Sequence, residues 1–161
     1  LTVEEIITKS SNIGTAKVAM RMGGERLHRY ISQLGFGAKT GVSLPGEING
    51  LLHPYKKWNK LSISRIPMGH EIAATPIQLT MAMSAVANGG RLMRPMLVEK
   101  LTDREGKPVV QYEPAEVRKV IRDEAAEQMV EILLSAIDSN ADGTITREEY
   151  ETVFRDGIGD A

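Results

Sequence analysis

Residues 8–20, TKSSNIGTAKVAM, contain two serine hydroxyls and an asparagine amide, followed by a helix-like run that carries a lysine amine. A serine hydroxyl attacks a carbonyl only when a neighbouring base takes its proton. Ser10 and Ser11 are therefore candidate reactive groups, and their chemistry depends on finding such a base. A serine before a helix more commonly caps it, and the residue types alone favour that alternative.

A second group of residues could bind a metal ion. In DSNADGTITREE, residues 138–149, oxygen ligands stand at positions 1, 3, 5, 7, 9 and 12 with Gly143 at position 6, as in the calcium loop of an EF-hand. All of these ligands are hard oxygen donors, so the expected cofactor is Ca²⁺. The expected ligands are Asp138, Asn140, Asp142, Thr144 through its carbonyl, Thr146 directly or through water, and Glu149.

Apolar residues flank this loop at helical spacing on both sides. They are Val130, Leu133, Leu134 and Ile137 before it, and Tyr150, Val153 and Phe154 after it. The pattern predicts an EF-hand-like helix-loop-helix tail. An acidic turn that belongs to the preceding domain remains the alternative.

Charge divides the chain near the same place. Residues 1–122 hold 18 Lys and Arg against 10 Asp and Glu, whereas residues 123–161 hold 2 against 11. This change predicts one domain over residues 1–122 and a second over residues 123–161. The basic residues are scattered and aromatic residues are few, so no nucleic-acid partner is expected. No apolar stretch reaches the roughly 18–20 residues of a membrane span.

The elements that must position these groups follow from apolar spacing and from capping residues. Thr75 and Pro76 are typical of a helix start, and Gly-Gly pairs are typical of helix ends. The predicted class is α+β. The predicted elements are helices over 3–8, 12–22, 25–34, 75–88 and 123–137, an irregular Gly/Pro-rich segment over 35–54, and two strands within 91–112 joined by a turn at 104–106.

Three stretches resemble the transpeptidase domain of class B penicillin-binding proteins. They are KSSNIGTAKVAMRMG (residues 9–23), LGFGAKTGVSLPGE (34–47) and MGHEIAATPIQLTMAMSAVANGGRLMRPMLV (68–98), and the similarity extends over about residues 4–121. The resemblance implies part of a serine β-lactamase/transpeptidase-like domain. It also implies that Ser10 and Asn12 form the family's Ser-x-Asn pair, in which Ser10 relays a proton and Asn12 orients the substrate amide.

Two other motifs of this superfamily are Ser-x-x-Lys, with its nucleophile and base, and Lys-Thr-Gly. None of the nine serines in the sequence has Lys three positions later. Lys39-Thr40-Gly41 has the right letters, but it lies in the Gly/Pro-rich segment, before the place where the family carries this motif. We therefore expect these three residues to have no catalytic role and this chain alone not to be acylated.

The resemblance implies the function of a fragment of a peptidoglycan D,D-transpeptidase, an enzyme that cross-links the cell wall. The parent enzyme's partners would be peptidoglycan stem peptides and β-lactams. Its location would be the extracytoplasmic face of the bacterial cytoplasmic membrane. The alternative is a non-catalytic calcium-binding or structural module on a penicillin-binding scaffold.

Overall fold

Several helices begin or end at the capping residues that the sequence contains, such as Thr2 before the first helix and Thr75 before the fifth. The computed structural model describes residues 1–137 and residue 146. Thr2 caps the first helix and Gly23, with a φ of 85°, separates the second from the third. The helices in this part of the chain are α1 (Val3–Thr8), α2 (Asn12–Met22), α3 (Gly24–Gln33), α4 (Ser62–Arg65), α5 (Pro76–Ala87) and α6 (Asp123–Ser135), with 3-10 turns at Tyr55–Lys57 and Ile66–Met68.

Short antiparallel strands pair in twos between these helices. The strands are β1 (Leu51–Leu52), β2 (Ile72–Ala73), β3 (Arg91–Met93), β4 (Lys100–Thr102), β5 (Pro108–Gln111) and β6 (Glu116–Lys119). The pairs are β1 with β2, β3 with β6, and β4 with β5. The predicted hairpin within residues 91–112 is β4–β5. Helix α4 and strands β1, β2 and β6 were not predicted, and β1 lies within the segment predicted to be irregular. Strand β3, the partner of β6, lies about 25 residues earlier in the chain.

A small apolar core forms where α5 meets the β3–β6 pair. Met81, Ala85, Leu92 and Val120 are buried there. Gly90 is required at the same place, because its φ is 84° and a Cβ on it would collide with the carbonyl of Ile121. Helix α6 packs on α5 and on α1, so it lies against the body that carries the candidate site. The predicted domain boundary at residue 122 therefore falls just before a helix that packs on the first domain.

Gln78 ties the Gly/Pro-rich segment to α5. Its side chain is 1% exposed, and its Nε2 donates to the carbonyl oxygens of Ala38 (2.7 Å) and Asn49 (2.9 Å). Its Oε1 accepts from the backbone N–H of Thr75 at 3.0 Å. One side chain thus caps α5 and holds two distant points of an irregular segment.

The described residues have the mixed helix-and-sheet architecture that the sequence predicts. Within them, no helix is long and apolar enough to cross a membrane.

Candidate active site

The junction between α1 and α2 has an unusual backbone. Ser10 adopts a φ of 48°, in the left-handed region that a non-glycine residue rarely enters. The N–H groups of Ser10 and Ser11 donate to the carbonyls of Ile7 (3.0 Å) and Ile6 (2.9 Å), which closes the end of α1. Glycine usually fills such a position after a helix. A serine there costs of order 1–3 kcal/mol, which the surrounding structure must offset.

Ser11, and not Ser10, is the capping residue of α2. The Ser11 Oγ accepts from the N–H of Gly14 at 3.2 Å, and the Ser11 carbonyl accepts from the Thr15 hydroxyl at 2.9 Å. Ser10 is exposed, and its hydroxyl has no hydrogen-bond partner among residues 1–137 and 146. The helix therefore uses one hydroxyl of the serine pair and leaves the other available.

Asn12 is the first residue of α2 and is also exposed. The junction thus presents a hydroxyl and a carboxamide, separated by the capping serine. Between them they offer hydrogen-bond donors and acceptors. Lys9, the nearest amine in sequence, lies 3.4 Å from Glu5. The pKa of Glu5 is lowered by the hydrogen bond from the Thr2 backbone and by Lys9, so this carboxylate remains charged and continues to engage the amine.

Close packing holds α2 in place. A Cβ on Gly14 would lie 2.5 Å from Ile6 Cγ1, so a larger residue at this position would force the Ile6 side chain of α1 to move. Ala16 and Ala19 are buried on the same helix, and α4 and the Ile66–Met68 turn pack against it. Small residues bring these neighbours close to the helix backbone. The position of Ser10 and Asn12 is consequently set by elements on both sides of α2.

The Lys39-Thr40-Gly41 segment is engaged with its own chain. Glu47 accepts hydrogen bonds from the Thr40 N–H and hydroxyl and from the Gly41 N–H. The hydrogen bond from the Thr40 hydroxyl is the main cause that lowers the pKa of Glu47. An internal carboxylate thus occupies three hydrogen-bond donors of this segment. These contacts favour the view that Lys39-Thr40-Gly41 has no catalytic role. The absence of such a role stays a prediction.

Five of the predicted calcium ligands, Asp138, Asn140, Asp142, Thr144 and Glu149, lie outside the described residues. Thr146 is described and exposed. In the described part of the chain, no group of three His, Asp or Glu residues could hold a metal ion.

A model of the penicillin-binding protein transpeptidase domain matches residues 1–153. The chain belongs to this family. The match includes the residues of the predicted calcium loop, so it agrees with the alternative in which the acidic segment is part of the transpeptidase domain. It also continues across the predicted boundary at residue 122.

Curated relatives are similar over most of this chain. Stage V sporulation protein D of Bacillus subtilis is 34% identical over 141 residues, which cover 87% of this chain and 21% of that protein. The probable peptidoglycan D,D-transpeptidase FtsI of Caulobacter vibrioides is 36% identical over 126 residues, covering 76% of this chain and 21% of that protein. The chain thus spans about a fifth of the length of these relatives.

A solved structure has the same fold in the shared region. Penicillin-binding protein 3 of Mycobacterium tuberculosis in complex with aztreonam is 29% identical with a TM-score of 0.77, and the match covers 84% of this chain and 30% of that chain. The predicted family and mixed fold are confirmed. The roles of Ser10 and Asn12 and the calcium tail remain predictions.

Proposed function

We propose that this chain is part of a serine D,D-transpeptidase that cross-links peptidoglycan on the extracytoplasmic face of the membrane, and that Ser10 and Asn12 act in its active site. Relatives named as peptidoglycan D,D-transpeptidases and a relative in complex with aztreonam support the substrate class. The observation that carries the proposal is the junction geometry. Ser11 caps the helix, while Ser10 and Asn12 remain exposed on either side of it.

In the proposed reaction, a serine outside these 161 residues attacks the carbonyl of a D-Ala-D-Ala peptide, a C–O ester bond forms, and a neighbouring base takes the hydroxyl proton. The C–N bond breaks, and the leaving D-Ala amine must receive a proton. The amine of a second stem peptide then displaces the ester, which forms the cross-link and frees the serine. A hydroxyl can accept a proton on one lone pair while donating its own, so Ser10 can pass a proton from a neighbouring base to the amine. Asn12 can donate to and accept from the peptide groups of the substrate, which fixes its orientation.

A chimera tests these roles. The matched region of the Caulobacter vibrioides FtsI protein is replaced by the corresponding residues of this chain, and acylation by a fluorescent penicillin is timed. We expect Ser10→Ala to slow acylation at least about 100-fold, because general acid–base groups contribute 10²–10⁴-fold. Asn12→Ala should weaken substrate binding as well.

Ser11→Ala is the matched control. It removes the same chemical group one residue away and should cost about 1 kcal/mol of stability through the lost cap. Its acylation rate should stay within about threefold of the parent chimera, a limit set well below the 10²-fold effect of a catalytic group. A Ser10→Ala chimera as fast as the Ser11→Ala chimera would remove Ser10 from the mechanism.

The isolated chain should form no adduct with penicillin. No serine in the sequence has Lys three residues later, so the family's nucleophile–base pair is missing from these residues. Mass spectrometry after incubation with a fluorescent penicillin checks this. A β-lactam-sized mass increase on any serine would contradict it.

The ligand spacing of residues 138–149 supports a second proposal, that of a calcium-binding tail. Isothermal titration calorimetry with calcium should give binding heat for the parent chain and none for Glu149→Gln, since position 12 supplies the bidentate carboxylate of such loops. Absence of binding heat in both samples would exclude the calcium site and favour the alternative, an acidic turn that belongs to the transpeptidase domain.

A further inference from the structure

Glu71 has a left-handed backbone conformation that a side chain disfavours. Its φ is 60°, and within residues 1–137 and 146 the only other non-glycine residue with a positive φ is Ser10, at 48°. Such strain persists only where the surrounding contacts fix it. Ser10 belongs to the candidate active site, and the contacts of Glu71 lead to the same helix.

A tight turn brings the Glu71 carboxylate back to the start of α4. The 3-10 turn Ile66–Met68 ends at Gly69, which has a φ of 90°. Glu71 Oε2 then accepts from the Ser62 hydroxyl at 2.6 Å, nine residues earlier in the chain. Glu71 Oε1 lies 3.6 Å from Arg65 Nη1. One carboxylate thus connects the first and last residues of α4 and closes α4 and the following turn into a single unit.

The partner of this carboxylate is buried. Ser62 is 1% exposed, and its Oγ also accepts from the backbone N–H of Asn59 at 3.1 Å. The Asn59 Oδ1 in turn accepts from the N–H groups of Leu61 (2.8 Å) and Ser62 (3.2 Å). Glu71 therefore supplies the acceptor for a hydroxyl that is shielded from water, and such a hydroxyl is costly to leave without one.

The unit that Glu71 closes packs on α2. Helix α4 and the Ile66–Met68 turn both contact α2. Ile66, the first residue of that turn, is 4% exposed. Helix α2 begins at Asn12, so a shift of α4 or of the turn would move the helix that carries Asn12 and follows Ser10.

We propose that Glu71 is a positioning residue for the candidate active site. By holding α4 and the following turn against α2, it fixes the place of Ser10 and Asn12 without contacting the substrate itself. The contact with Ser62 also gives a reason for a glutamate, and not a glycine, at a left-handed position. This inference rests on the proposed function, and it deepens it by naming a residue that sets the geometry of the Ser10–Asn12 pair.

Acylation of the FtsI chimera by a fluorescent penicillin tests the proposal. Glu71→Gly removes the carboxylate and also relieves the backbone strain, so backbone strain cannot explain a loss of activity. We expect the acylation rate constant to fall by about 10- to 100-fold, because misplacement of a positioned group by about 1 Å can cost roughly 10²-fold. The fraction of molecules finally labelled should stay unchanged. A purely structural role predicts the opposite, a smaller labelled fraction that reacts at the parent rate.

Three further variants serve as controls. Glu71→Gln keeps the shape and an oxygen acceptor for Ser62, so its rate should lie within about threefold of the parent, well below the roughly 10²-fold cost of misplacement. Ser62→Ala should slow acylation as Glu71→Gly does, and the double variant should be no slower, because both changes remove one contact. Glu116→Ala removes a carboxylate that pairs with Arg91 at 4.0 Å on the β3–β6 strands, and it should react at the parent rate.

Hydrogen exchange gives a readout that does not depend on catalysis. In the 161-residue chain, the amides of residues 12–22 should exchange at least about fivefold faster in Glu71→Gly than in Glu116→Ala. This factor corresponds to the roughly 1 kcal/mol that one buried hydrogen bond contributes to holding α4 against α2.

A Glu71→Gly chimera that is acylated at the parent rate would overturn the positioning role, and so would unchanged exchange in α2. Equal slowing by Glu116→Ala would overturn it as well, because loss of any ion-paired carboxylate would then be sufficient. The Ser10→Ala chimera is measured in parallel. Slow Ser10→Ala with fast Glu71→Gly refutes this inference alone, whereas Ser10→Ala at the parent rate refutes the proposed function, and exchange in α2 then still decides whether Glu71 holds the helix.

Discussion

Substitution of Gln78 tests how the irregular segment is held. Gln78→Ala removes three hydrogen bonds, two to the carbonyls of Ala38 and Asn49 and one from the Thr75 N–H. A buried hydrogen bond contributes about 1 kcal/mol net, so the free energy of unfolding should fall by about 3 kcal/mol. Urea unfolding followed by circular dichroism measures the change.

Gln128→Ala is the control, because it makes the same replacement at an exposed position of α6. It should change the free energy of unfolding by less than about 0.5 kcal/mol. Limited proteolysis gives a second readout, since release of Ala38 and Asn49 should expose residues 35–50 to cleavage. A Gln78→Ala protein as stable and as protease-resistant as the control would refute the assignment of Gln78 as the clamp.

Gln78→Glu separates hydrogen bonding from side-chain size. The Glu side chain has nearly the same shape and can still accept from the Thr75 N–H. When ionised it has no donor for the two carbonyls, so it should destabilise the protein at pH 7 at least as much as alanine. Protonation restores one donor, and part of the lost stability should return as the pH is lowered toward 4. A constant deficit from pH 7 to 4 would contradict this account.

Three further predictions concern single positions. Gly50→Ala should lower the free energy of unfolding by at least about 3 kcal/mol, because the φ is 65° and a Cβ would collide with the carbonyl of Ala73. Gly46→Ala should lower it by only about 1 kcal/mol, because the φ of 79° is unfavourable but the space around the Cβ is open. Thermal unfolding of the two variants measures the difference. Ser10→Gly should raise the isolated chain's stability by about 1 kcal/mol, since glycine tolerates the positive φ, yet it should slow acylation of the chimera as Ser10→Ala does. The hydrogen bond from Lys119 lowers the pKa of Asp123, so this carboxylate stabilises the fold above its unfolded-state pKa and the effect disappears as the pH falls through the folded-state value. Asp123→Asn should therefore melt below the parent at pH 7, and the difference should decrease as the pH falls below about 3.9, the unperturbed pKa of an Asp side chain.

Local signals predicted most helix boundaries correctly because they depend on neighbouring residues. Thr75 with Gln78 three positions later is a capping box, and the structure contains both of its hydrogen bonds. The same Gln78 side chain also bonds carbonyls 29 and 40 residues earlier. No local pattern specifies those partners, since they depend on how the irregular segment returns to α5.

Strand β6 was missed for a related reason. Its sequence, Glu116–Lys119, has three charged residues, and all four residues are exposed. Nothing in that pattern indicates a strand, because the segment buries no apolar face. The segment is a strand because its backbone pairs with β3 and because Val120, the next residue, is buried in the core. Tertiary pairing, rather than β propensity, determines this element.

The serine pair illustrates how far sequence could resolve the candidate site. Residue types predicted a helix cap and a reactive hydroxyl at residues 10 and 11. The structure assigns the cap to Ser11 and leaves the Ser10 hydroxyl exposed, and the reactivity of Ser10 stays a prediction. Helix α2 begins at Asn12, so the cap must be Ser11, and the tight end of α1 then forces Ser10 into a left-handed conformation. The capping bond ties Ser11 to the Gly14 N–H, whereas the strained residue keeps its hydroxyl exposed. If the Ser10 hydroxyl transfers protons, its function explains why a strained serine is kept where glycine would be more stable. Ser10→Gly should for this reason raise the stability of the chain and lower the acylation rate of the chimera.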